Sequence, residues 1–185
     1  QVARDNCPSK EARTMNRMIG QTLVELTVCV FFSGVIFTMA IPMFSSTIQR
    51  NQQTQSINQM LGVLHYARSS AVLRNKATTI CSGNTSCTPG KLWHKHLLVF
   101  DDTNENGQLD ADEKPLQQFH IANDHGWYWS NFRRRTFLQF AADGTTRALN
   151  GTLTLCSDNT PIKQVVINLA GRTRAQPPTK DARCS

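Results

Sequence analysis

The sequence predicts an α+β fold in which a long N-terminal helix packs on an antiparallel β domain. Residues 23–44 form an apolar run that carries one charge, at Glu25. Apolar side chains then recur at steps of three and four as far as Arg74, which is the pattern of an amphipathic helix. Beyond residue 76, short apolar segments alternate with Asn-Gly and Asp-Gly pairs, which are turn signals between strands.

The apolar run is long enough to cross a membrane. Its 22 residues, at about 1.5 Å per helical residue, span a hydrocarbon core of about 30 Å. Arg13 and Arg17 precede the run, and no Lys or Arg follows until Arg50. Because basic residues remain on the cytoplasmic side, we expect the N-terminus in the cytoplasm and the C-terminal part across the membrane.

A short basic segment precedes the apolar run. Met15 is a natural start, and residues 1–20 are interpreted as a leader outside the fold. The small residue suited to cleavage, Gly20, lies before the apolar core, so a cut there leaves the helix on a mature chain beginning at Gln21. We expect a transmembrane half-helix over 21–44, an amphipathic half-helix over 45–75 and a β domain over 76–185.

Six segments of the C-terminal part have strand character. Their spacing of roughly ten residues, with tight turns between them, predicts a meander-like antiparallel domain. The tail over 175–185 contains two consecutive prolines and is expected to be irregular. The predicted strands are residues 77–81, 96–100, 116–121, 136–140, 152–156 and 163–169.

Four of the six cysteines lie in the part expected outside the cytoplasm. An even number in a small exported domain indicates two disulfides. Four cysteines allow three pairings, and we favour Cys81 with Cys87 around a short loop and Cys156 with Cys184 to hold the tail. A zinc site is the alternative, but CxxC spacing is absent from the sequence.

An acidic segment over 102–113 fits the twelve-residue pattern of a Ca²⁺-binding loop. Oxygen-bearing side chains fall at steps one, three and five, glycine at step six and glutamate at step twelve. The flanking segments are predicted strands rather than helices, so a solvated hairpin turn without any cofactor is the alternative. The candidate ligands are Asp102, Asn104, Asn106, Asp110 and Glu113.

The basic residues are concentrated in the C-terminal part. Residues 114–185 hold ten Lys and Arg against four Asp and Glu, which favours an anionic partner such as nucleic acid or lipid headgroups. Three consecutive arginines at 133–135 follow an aromatic segment over 127–132, and Gly-Arg-Thr-Arg occupies 171–174. Arginines beside aromatics suit phosphates and stacked bases. The alternative is a solvated basic face whose aromatics belong to the core.

An enzymatic role has little support in the sequence. The five histidines are scattered, with His94 and His96 the one close pair, and no third ligand is evident. Neither a glycine-rich phosphate loop nor a nucleophile-base arrangement is present. We therefore expect a protein that is not an enzyme.

The N-terminal segment resembles the class III signal of type IV pilins and type II secretion pseudopilins. The resemblance rests on Gly20, the following Thr-Leu-Val-Glu-Leu and a proline, Pro42, late in the apolar run. It implies cleavage after Gly20 by a prepilin peptidase, insertion into the inner membrane, and pairing of Glu25 with the amine of a neighbouring pilin subunit. Pro42 would kink the helix, and Gln21 stands where most pilins have phenylalanine.

The C-terminal part resembles the FimT, FimU and GspH family of minor pilins and pseudopilins. The resemblance rests on an Ala-Arg-Ser helix end at 67–69, a Val-Phe-Asp-Asp segment at 99–102 and Gly-Arg-Thr-Arg at 171–174. In FimT proteins of competence pili, a Gly-Arg-x-Arg tail marks binding of double-stranded DNA. The resemblance thus assigns that role to Gly171, Arg172 and Arg174, with Lys180 and Arg183 as helpers.

Two functions follow from the resemblance. The first is a minor pilin that binds DNA without sequence preference during natural transformation and ends on the pilus at the cell surface. The second is a structural or pilus-initiating minor pilin, or a secretion pseudopilin, without DNA binding. The second arginine of the motif and the basic tail favour the first function.

Overall fold

The computed structural model describes residues 22–121 and 125–185, except the side chains of residues 39–43. The chain divides into two compact units, Gln1–Ser45 and Ser46–Ser185. Gly20 and Gln21, the predicted cleavage site, lie outside the described residues.

A single helix, α1, runs over Leu23–Arg74. It begins behind Thr22, whose hydroxyl oxygen accepts a hydrogen bond from the Glu25 amide at 3.3 Å. Thr-x-x-Glu is the sequence of a capping box, and an acid in the first turn is stabilised by the helix dipole. Within the part of the chain that the structure describes, no helix combines the length and hydropathy expected of a membrane span.

In the second unit, the C-terminal part of α1 packs on the β domain through one face. Small and medium side chains of this face are buried, among them Met60, Leu64, Ala67 and Ala71. The last turn is joined to the sheet by Arg74, whose guanidinium lies 2.5 Å from a carboxylate oxygen of Asp101. The predicted α+β class, with a helix packed on antiparallel strands, is confirmed.

The β domain consists of two antiparallel sheets. One has the order β4-β3-β1-β6 and the other β2-β5-β7-β8-β9. Their facing side chains form one core with α1, in which Trp93, Trp127 and Trp129 are fully buried. The strands are β1 Thr78–Ser82, β2 Leu92–Trp93, β3 His96–Asp101, β4 Pro115–His120, β5 Gly126–Asn131, β6 Leu138–Phe140, β7 Gly151–Ser157, β8 Thr160–Ile167 and β9 Thr173–Gln176.

Two expectations about the β domain are wrong. The strands do not form a meander, because β1 lies between β3 and β6 and the remaining strands pair in a second sheet. The tail is also not irregular from residue 175, because β9 pairs with β8 and includes Ala175 and Gln176. β2, β5 and β9 were not predicted. β2 is only two residues long. In β5, the buried Trp127 and Trp129 alternate with the half-buried Tyr128, which is a strand pattern within the aromatic segment over 127–132.

The disulfides are Cys81–Cys87 and Cys156–Cys184, the two pairings favoured from the sequence. Cys156 is the penultimate residue of β7 and lies on the sheet face opposite the core, so the second disulfide folds the tail back over that face. There the Gln164 side-chain oxygen accepts a hydrogen bond from the Thr179 amide at 3.1 Å. Thr154 and Gln164 are consequently buried although they point away from the core.

We predict that removing Cys156–Cys184 destabilises the fold more than removing Cys81–Cys87. The sequence separations are 28 and 6 residues, and closing a longer loop restricts the unfolded chain more, by about 3–4 against about 2 kcal/mol. The measurement is thermal unfolding of the two Cys→Ser double variants in nonionic detergent, followed by fluorescence of the three buried tryptophans. An equal loss of melting temperature in both variants contradicts the prediction.

Candidate functional site

The Gly-Arg-Thr-Arg motif covers the end of the β8–β9 turn, at Gly171 and Arg172, and the first two residues of β9. Gly171 has a φ of +71°, and a Cβ added there would lie 2.1 Å from the carbonyl oxygen of Gly144. Only glycine permits this approach. From α1, Arg68 donates hydrogen bonds to the carbonyl oxygens of Gly144 and Ala170 at 2.9 and 3.1 Å. The glycine of the motif therefore has a structural role.

The two arginines of the motif are exposed on the sheet edge. The Arg172 amide donates to the Asn168 side-chain oxygen at 2.9 Å, which fixes the backbone that carries it. Arg174 lies in β9 and donates to the side-chain oxygen of Gln176 at 3.0 Å. Neither guanidinium forms an ion pair within residues 22–121 or 125–185. Both charges are therefore available to an external anion.

The two basic residues of the tail are held by the fold. Lys180 and Arg183 are exposed, and they lie between the Thr179 hydrogen bond to Gln164 and the Cys156–Cys184 disulfide. The tail is thus anchored on both sides of these residues. It carries them on the sheet face opposite the core.

The structure separates the aromatic residues that precede the triple arginine. Trp127 and Trp129 are buried, and the indole N–H of Trp129 donates to the Phe137 carbonyl oxygen at 3.1 Å. Phe132, by contrast, is 93% exposed. The interpretation as core aromatics is therefore right for the two tryptophans and wrong for Phe132.

The triple arginine and the Gly-Arg-Thr-Arg turn lie at the same end of the second sheet. Strand register places Asn131, Gly151, Ile167 and Thr173 in one row across β5, β7, β8 and β9. The β5–β6 loop leaves from the first of these residues and the β8–β9 turn leads into the last. A groove of about 540 Å³ at this end, the β7–β8 groove, is lined by the start of β7, the end of β8 and the β8–β9 turn. Sequence reasoning had treated the two basic segments as separate.

The acidic loop is a hydrogen-bonded hairpin connection. The Asp102 carboxylate accepts hydrogen bonds from the amides of Asn106 and Gly107 at 3.1 and 2.9 Å. The Glu113 carboxylate accepts from the amides of Thr103 and Asp110 at 2.7 and 3.2 Å.

These contacts close the loop on its own backbone. Asp110 accepts from the side-chain amides of Asn104 and Asn106, both at 2.8 Å. The part of the chain that the structure describes contains no group of three His, Cys, Asp or Glu placed to hold a metal ion. The geometry favours the turn interpretation, and Ca²⁺ binding stays a prediction.

Of the residues assigned to filament assembly, Glu25 is exposed in the first turn of α1. α1 continues through Pro42, whose side chain lies outside the described residues. The apolar side chains of this part of α1 are exposed in the single chain. Among them are Leu23, Phe31, Ile36 and Phe37.

The fold is similar to that of a known minor pilin. The crystal structure of the type IV minor pilin FimU from Pseudomonas aeruginosa in space group P21 has a TM-score of 0.54 at 23% identity, covering 70% of this chain and 91% of that one. A second crystal form, in P65, has a TM-score of 0.50 at 23% identity and covers 67% and 92%. No curated protein matches the sequence.

The sequence also matches a family model. The model is described as type II transport protein GspH, and it matches residues 56–171. This range extends from the buried face of α1 through both sheets to Gly171, the glycine that approaches the Gly144 carbonyl oxygen closely. The chain therefore belongs to the GspH family, whose fold it shares with the minor pilin FimU.

Proposed function

We propose that this chain is a minor type IV pilin that assembles with other pilins into a filament and binds double-stranded DNA without sequence preference. The GspH family model and the fold shared with the minor pilin FimU support the filament role. The chain would act by assembly and binding rather than by catalysis.

The exposed apolar surface of α1 supports assembly. Leu23, Phe31 and Phe37 are 79%, 69% and 63% exposed in the single chain. A continuous apolar surface of this kind requires lipid or neighbouring helices to cover it. The apolar run over 23–44 would first insert in the inner membrane, with the β domain in the periplasm, and later pack against other subunits in a pilus at the cell surface.

The exposure of Arg172 and Arg174 carries the DNA proposal. Arg172 lies in the turn held by Gly171 and Arg68, Arg174 follows it in β9, and neither guanidinium forms an ion pair within the described residues. Phosphate contacts of this kind carry no sequence information, so binding would be non-specific and weak for one subunit. Many subunits on one filament would raise the effective affinity.

The description of the matching family model favours a second candidate function. GspH is a type II transport protein, so a structural subunit of a secretion pseudopilus, or a structural pilus-initiating subunit, would have the same fold without binding DNA. DNA binding by the isolated chain separates the two functions.

The first expected property is processing after Gly20 by a prepilin peptidase. Because a side chain at this position would block an extended peptide from the peptidase, Gly20→Val should leave the leader on the protein and keep the chain out of filaments. Intact-mass measurement of filament-borne wild type should give a chain that begins at Gln21. A retained leader on wild-type subunits in sheared filaments contradicts this.

The second expected property is a role for Glu25 in assembly. A carboxylate among packed apolar helices requires a cationic partner, and the N-terminal amine of a neighbouring subunit would supply it. Glu25→Gln, which keeps the shape and removes the charge, should leave the membrane-fraction level unchanged and greatly reduce the amount in sheared filaments. Quantitative immunoblots of both fractions test this, and normal incorporation refutes the pairing.

The third expected property is salt-dependent binding of duplex DNA through the Gly-Arg-Thr-Arg turn. The double variant Arg172→Gln with Arg174→Gln should lose most binding and keep its melting temperature, because both side chains are exposed. The matched control is Arg50→Gln with Lys95→Gln, which removes the same charge from exposed positions elsewhere. The measurement is fluorescence anisotropy of a labelled duplex against full-length protein in nonionic detergent at low and high salt.

Gly171→Ala tests the structural role of the glycine in the turn, in contrast to the arginine variants, which should keep their stability. Its Cβ would collide with the Gly144 carbonyl oxygen, so this variant should lose both stability and binding. If wild type does not bind the duplex, or both double variants bind equally, the DNA proposal fails and the structural candidate remains.

A further inference from the structure

The β5–β6 loop presents an aromatic ring that the fold does not use. Phe132 is 93% exposed, whereas Trp127 and Trp129 on the same stretch of chain are fully buried. Exposing a phenylalanine forgoes its burial energy, about 1.5–3 kcal/mol. Arg133, Arg134 and Arg135 follow it directly and are all exposed.

The loop is held firmly at its base. The Asn131 side chain bridges it, donating to the Arg135 carbonyl oxygen at 2.7 Å and accepting from the Arg135 amide at 3.0 Å. The Arg134 amide donates to the Asn131 carbonyl oxygen at 3.3 Å. Near the end of the loop, the indole N–H of Trp93 donates to the Thr136 carbonyl oxygen at 3.0 Å. Phe132 is therefore displayed on an ordered support.

The arginines of the loop are not neutralised by the acidic loop, although the two loops are connected through packing. Gly107 of the acidic loop approaches the Phe137 ring so closely that a Cβ would lie 2.1 Å from it. The Glu105 carboxylate pairs with Arg147 at 2.8 Å. Asp102 accepts hydrogen bonds from the side chains of Thr79 and Gln139. The other carboxylates of the acidic loop that accept hydrogen bonds do so from groups of their own loop. Arg135 lies over the Phe137 ring at 5.8 Å. Arg133 and Arg134 therefore remain available to an anion.

The loop lies on the same sheet end as the Gly-Arg-Thr-Arg turn. Three strand spacings separate β5 from β9 in the order β5-β7-β8-β9, which is about 14 Å.

We propose that Phe132, with Arg133 and Arg134, binds unpaired bases of single-stranded DNA, and that the strand continues across the β7–β8 groove to Arg172 and Arg174. This inference rests on the proposed DNA binding and specifies the form of DNA. A phenylalanine ring stacks on a base without reading its identity, while the arginines hold the phosphates. In a duplex the bases are already stacked on each other, so Phe132 would contribute little there.

The experiment compares a labelled oligothymidylate with a labelled blunt-ended duplex of equal length. Full-length protein in nonionic detergent is titrated against each by fluorescence anisotropy at low salt. Phe132→Leu, which keeps an apolar side chain without a π face, should weaken single-strand binding about five- to tenfold and duplex binding less than about twofold. Phe132→Trp should restore or improve single-strand binding.

A matched apolar control is Leu73→Ala, which truncates a side chain in the last turn of α1 that is 84% exposed and does not line the groove, and which should change single-strand binding little. Arg133→Gln with Arg134→Gln should weaken binding of the single strand more than binding of the duplex. If Phe132→Leu and Phe132→Trp bind the single strand equally, the ring does not stack on bases and the inference is wrong.

The two proposals can fail separately. Duplex binding that depends on Arg172 and Arg174, with no effect of Phe132 on the single strand, overturns this inference alone. Single-strand binding that depends on Phe132, with no duplex binding, supports it and overturns the duplex proposal. If the Phe132→Leu variant is lost from filaments while its DNA binding is unchanged, the loop contacts a neighbouring subunit and the inference is overturned. If the protein binds neither form of DNA, both proposals are overturned.

Discussion

The close approach of Gly171 to Gly144 is the contact on which the arrangement of the β domain depends. Gly144 follows β6 of the first sheet, and Gly171 lies between β8 and β9 of the second. Arg68 of α1 donates to carbonyl oxygens on both sides of this contact. One side chain therefore joins the helix and both sheets at a point where no Cβ would fit. The orientation of β9, and with it of Arg172 and Arg174, follows from this junction.

The second sheet has a polar face that is closed by the tail rather than by a third layer. Thr154, Gln164 and Gln176 occupy one row across β7, β8 and β9, and their side chains are linked by hydrogen bonds. The Thr179 amide completes the set, and Cys184 fixes the end of the tail to Cys156. Because buried polar groups without partners are costly, the row and the tail stabilise each other.

The sequence predicted those elements whose signal is local. The helix period, the apolar segments of β1, β3, β4, β6, β7 and β8, and the two disulfides could all be inferred from spacing. It did not predict the division into two sheets, because strand order depends on which faces pack together rather than on any single segment. The aromatic segment illustrates the limit. Trp127, Tyr128 and Trp129 alternate as a strand, but only the packing distinguishes the two buried tryptophans from the exposed Phe132.

The position of the candidate site was unpredictable for the same reason. Residues 133–135 and 171–174 are far apart in sequence, and only the register from Asn131 to Thr173 places them at one sheet end. The Gly-Arg-Thr-Arg motif itself combined two roles that a sequence pattern does not separate. Gly171 is required by the backbone, whereas the guanidinium groups of Arg172 and Arg174 form no ion pair with the described residues.

The charges of the acidic loop and of the basic end are used in different ways. Asp102 and Glu113 are buried, and their carboxylates accept hydrogen bonds from backbone amides, so an incoming cation would have to replace contacts that already stabilise them. The exposed arginines of the β5–β6 loop and of the Gly-Arg-Thr-Arg motif form no ion pair with the described residues. An anion can therefore bind to the arginines without breaking the fold. The proposed DNA binding would therefore use the basic end of the described domain rather than the acidic loop.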